Sequence, residues 1–214
     1  MDDQIEQQIP LPAPYWDIAP RPTGDSMRRR PTGWQVLIYE VLETVVLAAI
    51  IWLVVNFATA RFVVDGSSME PNFHSGQLLI VNRLAYRFGT LQRGDVIVFR
   101  FPGNTTDDYI KRIVGLPGEE IIIRGGAVYV NGEMLEEPYL VPDVILPYDG
   151  EWIVPADSYF VMGDNRAHSS DSRSWGMLGK ELIIGKAWVS YWPPEYWGVV
   201  PHYSYALAPE DTQY

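Results

Sequence analysis

Two adjacent cations stand inside a segment that otherwise has the pattern of a β-strand, DDYIKRIVGLPGE at residues 107–119. Neighbouring side chains on a strand point to opposite faces, so Lys111 shares one face with Tyr109 and Ile113 while Arg112 occupies the other. At least one of the two cations therefore lies among apolar neighbours. A cation in such a place needs a partner, or it loses its proton.

The two cations differ in the chemistry that burial allows. Arginine keeps its charge under essentially all conditions, whereas a desolvated lysine releases its proton several pH units below its usual range. Lys111 alone can therefore become a neutral amine, which is a general base. Strand periodicity by itself favours the other outcome, in which the lysine extends along the strand face to solvent.

Two further segments contain more small and polar residues than a turn requires. In VVDGSSMEPNFHSGQ, residues 63–77, Ser67 and Ser68 follow a glycine, a pattern that turn preferences alone explain. In FVMGDNRAHSSDSRSWG, residues 160–176, five polar residues stand in a row at 169–173. Within that row an aspartate and an arginine are spaced to pair and fix the loop, and a serine hydroxyl can orient a neutral amine.

An apolar segment precedes these polar segments. Residues 34–60 are long enough for a helix to cross roughly 30 Å of hydrocarbon. Three arginines, Arg28 to Arg30, stand before this segment and only Arg61 stands directly after it, so the positive-inside rule predicts a cytoplasmic N-terminus. The Pro-rich, weakly periodic residues 1–33 are predicted to be a disordered cytoplasmic tail.

Two alternatives to a membrane anchor remain open. One is the buried amphipathic helix of a soluble domain, which is disfavoured because the run VVLAAIIWLVV has no polar face. The other is a cleavable signal peptide, since Ala-Thr-Ala at 58–60 fits the small-x-small cleavage pattern. The length of both the tail and the apolar segment argues against cleavage.

After residue 61 the sequence changes to short β-like runs separated by Gly, Pro and Asn, which predicts an antiparallel β-sheet. The turn pairs Gly125-Gly126 and Asn131-Gly132 predict a β-ribbon. The predicted fold is thus mainly β, with one N-terminal transmembrane helix, an antiparallel β-sheet domain and a short β-ribbon insertion. The predicted boundaries are a tail at 1–33, a transmembrane helix at 34–60, a β core at 61–119 and 158–200, a ribbon at 120–157 and a C-terminal tail at 201–214.

Composition excludes several classes of function. The net charge of −11 disfavours a nucleic-acid partner. There is no cysteine, so a thiolate nucleophile, a disulfide and a Cys-ligated metal are impossible. His74, His168 and His202 do not have the spacing of a zinc site. We therefore expect no metal, no cofactor and no nucleic acid.

Four motifs in order, behind an apolar segment, resemble those of the type I signal peptidases, which are bacterial membrane-anchored Ser/Lys proteases. GSSMEP resembles the Ser-Met-x-Pro motif of this family, RGDVIVF and YIKRIVGLPGE resemble the next two motifs, and GDNRAHSSDSRSWG resembles the last. The resemblance covers the chain from the membrane segment to Trp188. It implies a monomeric serine endopeptidase with a signal-peptidase-like β domain. The enzyme would cleave signal peptides from exported preproteins after Ala-x-Ala, at the lipid surface on the outer face of the cytoplasmic membrane.

The same resemblance implies a role for each matching residue. Ser68 would be the nucleophile and Lys111 its general base. Ser169 would hydrogen-bond the lysine amine, and Asp171 would pair with Arg173. The remaining supporting residues would be Arg112, Asp164 and Asn165.

The resemblance also implies an oxyanion donor and a substrate pocket. The backbone N–H of Ser68 is the expected donor, in a turn with Gly66 and Ser67. Many relatives have a serine at the position of Gly66, so one donor is missing here and another group should compensate. Met69 would face lipid. Shallow pockets for small side chains at positions −1 and −3 would be built by Phe62, Val64, Phe73, Val98, Tyr109 and Ile110.

Two other functions fit parts of the sequence. Self-cleaving repressors share the Gly-x-Ser-Met motif and a Ser/Lys mechanism, but those proteins are soluble. A membrane-anchored β-domain that binds partners without catalysis would keep the scaffold. Cleavage of a precursor, and its loss on substitution of Ser68 or Lys111, separates these functions from a signal peptidase.

Overall fold

The computed structural model describes residues 33–142 and 149–203, without the side chains of residues 87 and 88. Most of the predicted N-terminal tail, with its three arginines, lies outside the described residues. The same holds for residues 204–214 of the predicted C-terminal tail and for residues 143–148 of the predicted ribbon.

The apolar segment forms one helix, α1, at Gly33–Ala58. Its mean hydropathy is 2.3 and no residue of it is buried, so it is a candidate membrane span by length and composition. The hydroxyl of Thr44 donates to the carbonyl of Glu40 one turn earlier, and the Asn56 amide donates to the carbonyl of Trp52. These bonds satisfy polar side chains inside the helix itself, as a lipid environment requires. The chain divides into two compact units, one ending at Ala48 and one beginning at Ala49.

The second unit contains the β structure, which confirms the predicted mainly β, antiparallel class. Two of the three α-helices in the described part of the chain are short, α2 at Ala85–Phe88 and α3 at Ser172–Trp175. The strands are β1 Thr59–Val63, β2 Leu78–Asn82, β3 Val96–Phe101, β4 Asn104–Gly115, β5 Glu120–Arg124, β6 Ala127–Val130, β7 Glu133–Met134, β8 Gly150–Ile153, β9 Ser158–Met162, β10 Leu178–Gly179, β11 Ile183–Trp192 and β12 Gly198–Val199. They form a larger sheet in the order β1-β2-β11-β3-β4-β9-β10, with β12 paired to β11, and a smaller sheet in the order β7-β6-β5-β8.

The smaller sheet occupies the place of the predicted ribbon and is larger than expected. Its two hairpins use the predicted turns, because Gly125-Gly126 and Asn131-Gly132 all have positive φ, as a tight hairpin requires. The difference arises from strand β8, which pairs with β5 across the segment 135–149. The sheet buries its apolar face against the larger sheet. That shared cluster contains Ile121, Ile123, Val128 and Val130 from one sheet and Val114, Phe160 and Met162 from the other. The insertion is therefore packed on the core and does not project as a two-stranded ribbon.

The chain beyond Pro193, which has no recognisable sequence pattern, returns to the larger sheet. Strand β12 pairs with β11, and the N–H of Val200 donates to the carbonyl of Trp188. The Val200 side chain is 3% exposed and packs in the cluster that also contains Met69 and Phe73. This segment therefore completes the core beside the turn that contains Ser68.

We expect Val200→Ala to destabilise the protein by about 2 kcal/mol, because two buried methyl groups are lost and a cavity remains. In a domain of this size that corresponds to a melting temperature lower by about 4 to 8 °C. Val199→Ala is the matched control, since Val199 is 71% exposed. Thermal unfolding of the detergent-solubilised variants measures both. Equal melting temperatures for the two variants would contradict the assignment of Val200 to the core.

Candidate active site

The nucleophile candidate lies in a tight turn after strand β1. Gly66 opens this turn with φ +85°, a conformation that side-chain-bearing residues rarely adopt. The backbone N–H of Asn165 donates to the carbonyl of Ser68 at 3.0 Å, and its side-chain amide donates to the carbonyl of Ser67 at 3.1 Å. Asn165 therefore fixes the turn from a distant loop.

Lys111 lies on β4 and points at this turn. Its amine Nζ is 2.7 Å from the hydroxyl Oγ of Ser68 and also donates to the carbonyl of Ile110 at 2.8 Å. The residue is only 3% exposed, so the expectation from strand periodicity, an amine that reaches solvent, is wrong. The fold thus brings together two residues that are 43 positions apart in sequence.

The electrostatic environment favours the neutral form of this amine. Burial lowers the pKa of Lys111 to about 8, although the charges of Asp171 and Asp164 act in the opposite direction. Desolvation dominates because an ammonium ion loses its hydration when it is buried, whereas a neutral amine loses much less. At pH 7 roughly one molecule in ten then carries the neutral amine.

Arg112 is buried as well, so both cations of the segment 107–119 are inside the protein. Its guanidinium forms a two-point ion pair with the carboxylate of Asp164, with Nε 2.9 Å from Oδ1 and Nη2 2.7 Å from Oδ2. A third donor, Nη1, bonds the carbonyl of Gly94 at 2.9 Å. The arginine keeps its charge and finds a partner, as its chemistry requires.

The loop at 163–173 contains the ion pair that the sequence predicted. Nε of Arg173 is 2.8 Å from Oδ1 of Asp171, and Nη2 is 2.8 Å from Oδ2. The same carboxylate accepts a hydrogen bond from the backbone N–H of Gly163 at 3.0 Å. Asp171 also precedes helix α3 and caps it by accepting from the N–H of Arg173. One carboxylate therefore holds both ends of the loop.

Ser169 differs from the expectation. Its hydroxyl is buried without a hydrogen-bond partner in the described structure, and the amine of Lys111 instead bonds Ser68 and the carbonyl of Ile110. The hydroxyl lies against Gly163, where an added Cβ would overlap both the Ser169 hydroxyl and the carbonyl oxygen of Ser68. Ser169 is thus beside the nucleophile turn without the predicted bond to the lysine.

A cavity of about 740 Å³ opens onto the Ser68–Lys111 pair. Three of the predicted pocket residues line it, namely Phe62, Tyr109 and Ile110. The other three predicted pocket residues, Val64, Phe73 and Val98, are at most 3% exposed and belong to the core behind it. Met69 lies in the same core at 1% exposure, so the expectation that it faces lipid is wrong. The apolar wall of the cavity is therefore smaller than predicted.

Sequence reasoning missed the polar residues of this cavity. Its lining also includes Asp65, Thr106, Asp107, Asp108, His168 and Ser170. Most of these residues stand inside the sequence motifs or directly beside them. Their position next to the motifs is the sequence signal that indicates a place in the cavity wall.

The sequence also missed a buried network below the loop. Arg166 pairs with Glu137 of the insertion through Nη1 at 2.8 Å. The amide of Asn72 donates to Asp164 Oδ2 and to the carbonyl of Tyr139, both at 2.8 Å. Nothing near Glu137 or Tyr139 in the sequence marks them as partners of the loop. Within residues 33–142 and 149–203, no group of His, Asp and Glu is arranged to hold a metal ion.

Comparisons with known proteins match most of the chain. The family described as "Signal peptidase, peptidase S26" matches residues 37–192. Signal peptidase I of Bacillus caldolyticus is 43% identical over 150 residues, which cover 64% of this chain and 81% of that protein. Probable signal peptidase I-2 of Synechocystis sp. is 40% identical over 161 residues, 72% of this chain and 73% of that protein. A crystal structure of a signal peptidase I from Enterococcus faecalis V583 aligns with a TM-score of 0.41 and 33% identity, covering 45% of this chain and 96% of that chain.

We expect Gly163→Ala to lower the rate of peptide cleavage by about 100-fold. The new methyl group would push against the carbonyl oxygen of Ser68, and a displacement of the nucleophile by about 1 Å has an effect of that order. Gly198→Ala is the control, because a Cβ there meets nothing within 4 Å. Steady-state kinetics of both variants give the comparison. Similar rates for the two would show that contact with Gly163 does not position Ser68.

Proposed function

The chain belongs to the signal peptidase family, peptidase S26, and on that premise we propose that it is a signal peptidase I whose reaction is carried by a Ser68–Lys111 dyad. The hydrolysis of signal peptides follows from the family. The observation that carries the dyad is the 2.7 Å distance between the amine of the buried Lys111 and the hydroxyl of Ser68. A hydroxyl and a desolvated amine at that distance form a nucleophile with its general base.

The proposed reaction has two stages. Neutral Lys111 takes the hydroxyl proton of Ser68 while Oγ attacks the scissile carbonyl, which gives a tetrahedral oxyanion. The C–N bond then breaks, the lysine ammonium gives the proton to the departing amine, and an acyl-enzyme remains. Lys111, neutral again, next takes a proton from water while the water oxygen attacks the ester; the C–Oγ bond then breaks and the lysine ammonium returns the proton to Oγ of Ser68.

The backbone N–H of Ser68 is the proposed oxyanion donor. Gly66 has no side chain to add a second donor, and its φ of +85° explains why glycine suits this position. The N–H of Gly66 itself is directed to the hydroxyl of Ser75 at 3.4 Å. Because Gly66 supplies no second hydrogen-bond donor to the oxyanion, that donor has to come from another group that lines the cavity.

The edge of strand β4 supports binding of an extended substrate. Residues 108–110 pair with β3 on one side, whereas β9 begins its pairing with β4 only at Arg112. Among the described strands, none covers the other edge of 108–110, which faces the cavity. An extended peptide can add to such an edge through backbone hydrogen bonds. The bulky side chains of Phe62 and Tyr109 stand in the wall of this cavity. We therefore propose that the substrate has small side chains at positions −3 and −1, as in Ala-x-Ala.

The proposed location is the cytoplasmic membrane of a bacterium. Helix α1 would cross it once with the N-terminus in the cytoplasm, and the β domain would act as a monomer at the outer lipid surface on preprotein signal peptides. The orientation rests on the arginines before the helix. Cleavage after Ala60 is disfavoured because Ala60 is already paired with Val81 in the sheet. We therefore propose that the anchor is retained.

The function is tested with the full chain in detergent and a precursor that carries Ala-x-Ala. We expect cleavage after the second alanine. Ser68→Ala and Lys111→Met should each lower the rate at least about 10³-fold while leaving the melting temperature unchanged, because each removes one half of the dyad. Ser158→Ala, at the start of β9 away from the cavity, is the control and should cleave normally. Gel analysis and mass spectrometry identify the products.

Three results would contradict parts of this proposal. An inactive wild-type protein would favour the alternative of a non-catalytic β-domain. Normal cleavage by Lys111→Met would exclude the dyad. Equal cleavage of a precursor with phenylalanine at position −1 would exclude the proposed preference for small side chains.

The lowered pKa of Lys111 predicts the pH dependence of the reaction. Only the neutral amine is a base, and it becomes protonated as the pH falls below about 8. We therefore expect kcat/KM to rise about tenfold per pH unit up to about pH 8 and then to level off. The profile is measured with a substrate that has no titrating group in this range. An optimum near pH 5 would instead indicate a carboxylate base.

A further inference from the structure

Basic side chains without a carboxylate partner gather near the C-terminal end of helix α1. Five cations of the β domain form ion pairs: Arg93, Arg112, Arg166, Arg173 and Lys186. In contrast, Arg83, Arg100 and Lys180 are exposed and form no ion pair among the described residues. In a chain with a net charge of −11, three unpaired cations in one place are a local reversal of sign.

These three cations line a single cavity of about 430 Å³, separate from the Ser68–Lys111 pair. Its lining is amphipathic, since Phe57, Leu182 and other apolar residues alternate with the charged ones. Two carboxylates, Asp108 and Glu181, also reach it, so among the described side chains of the lining three are positive and two are negative, a net charge of +1. Asp108 is the strand neighbour of Arg100 but forms no ion pair with it in the described structure. The cations are thus available to an external anion.

The cavity adjoins the last turn of α1. The backbone N–H of Arg83 donates to the carbonyl of Ala58, the final residue of the helix, at 2.9 Å. Phe57, one residue earlier, is part of the lining. The hydroxyl of Thr59 donates to the carbonyl of Val55 at 2.8 Å, so this carbonyl of the last turn is satisfied within the chain itself. If α1 spans the bilayer as proposed above, this cavity lies at the level of the lipid headgroups.

We propose that this cavity binds the phosphate of an anionic phospholipid headgroup, an inference that rests on the membrane placement in the proposed function. Guanidinium groups offer paired N–H donors that match phosphate oxygens, and Lys180 adds a third cation. The net charge of +1 balances a phosphodiester monoanion. The apolar lining contacts the glycerol and first methylene groups, which a free anion lacks. Basic pockets beside membrane helices are a known type of lipid site.

The test uses the full chain in neutral maltoside micelles with equal amounts of phosphatidylglycerol and phosphatidylcholine, followed by native mass spectrometry. We expect one phosphatidylglycerol to be retained in preference to phosphatidylcholine. The triple variant Arg83→Gln, Arg100→Gln, Lys180→Gln should bind it about 100-fold more weakly, at about fivefold for each cation. Arg124→Gln is the matched control, because Arg124 is also exposed but lies on β5. It should change the affinity less than about twofold.

Each other outcome overturns the proposal. Equal retention of the two lipids, or an equal loss in Arg124→Gln, would mean that no headgroup site exists here. Displacement of the lipid by millimolar inorganic phosphate, with tight binding of that phosphate, would assign the cavity to a free anion. The measurement needs no cleavage and is repeated with Ser68→Ala, so its failure is distinguishable from failure of the peptidase function.

Discussion

The burial of one lysine amine is the constraint on which the rest of the site depends. An ammonium ion in a buried pocket keeps its proton if a carboxylate pairs with it, and then it is not a base. Two carboxylates are close enough to raise the pKa of Lys111, those of Asp164 and Asp171. Asp164 is held at two points by Arg112, and Asp171 is held at two points by Arg173. Each arginine thus balances the charge of its carboxylate, and desolvation outweighs the remaining attraction and lowers the pKa of Lys111 to about 8.

The same ion pairs join the parts of the chain that meet around Ser68. Asp164 connects Arg112 on β4 to Asn72, just after the turn that contains Ser68. Arg166 connects the loop to Glu137 of the insertion. Buried pairs of this kind add little net stability, because desolvation offsets their attraction, but removal of one partner leaves a buried charge. Their contribution here is geometric, since they fix the loop against the turn.

Sequence patterns predicted the helix and the β class better than the surroundings of the site. Val64, Phe73 and Val98 were expected in a pocket wall and are in the core, because a strand pattern shows which residues share a face but not which face meets solvent. Ser169 was expected to bond Lys111, yet its hydroxyl has no partner in the described structure, because the amine of Lys111 bonds Ser68 and the carbonyl of Ile110. The ribbon became a four-stranded sheet because strand β8 pairs across a long connection, and such non-local pairing has no local signal.

By itself, the sequence determined the apolar helix, the hairpin turns, the mainly β class and the fact that Lys111 is the cation able to lose its proton. These properties depend on residue type and on spacing within a few positions. The tertiary structure alone decided that this lysine is dry and 2.7 Å from Ser68, because burial depends on chain segments distant in sequence. It also decided which carboxylates pair with arginines and which cations remain free. Charge pairing in a folded protein is set by distances between strands, and those distances exist only once the sheets have packed.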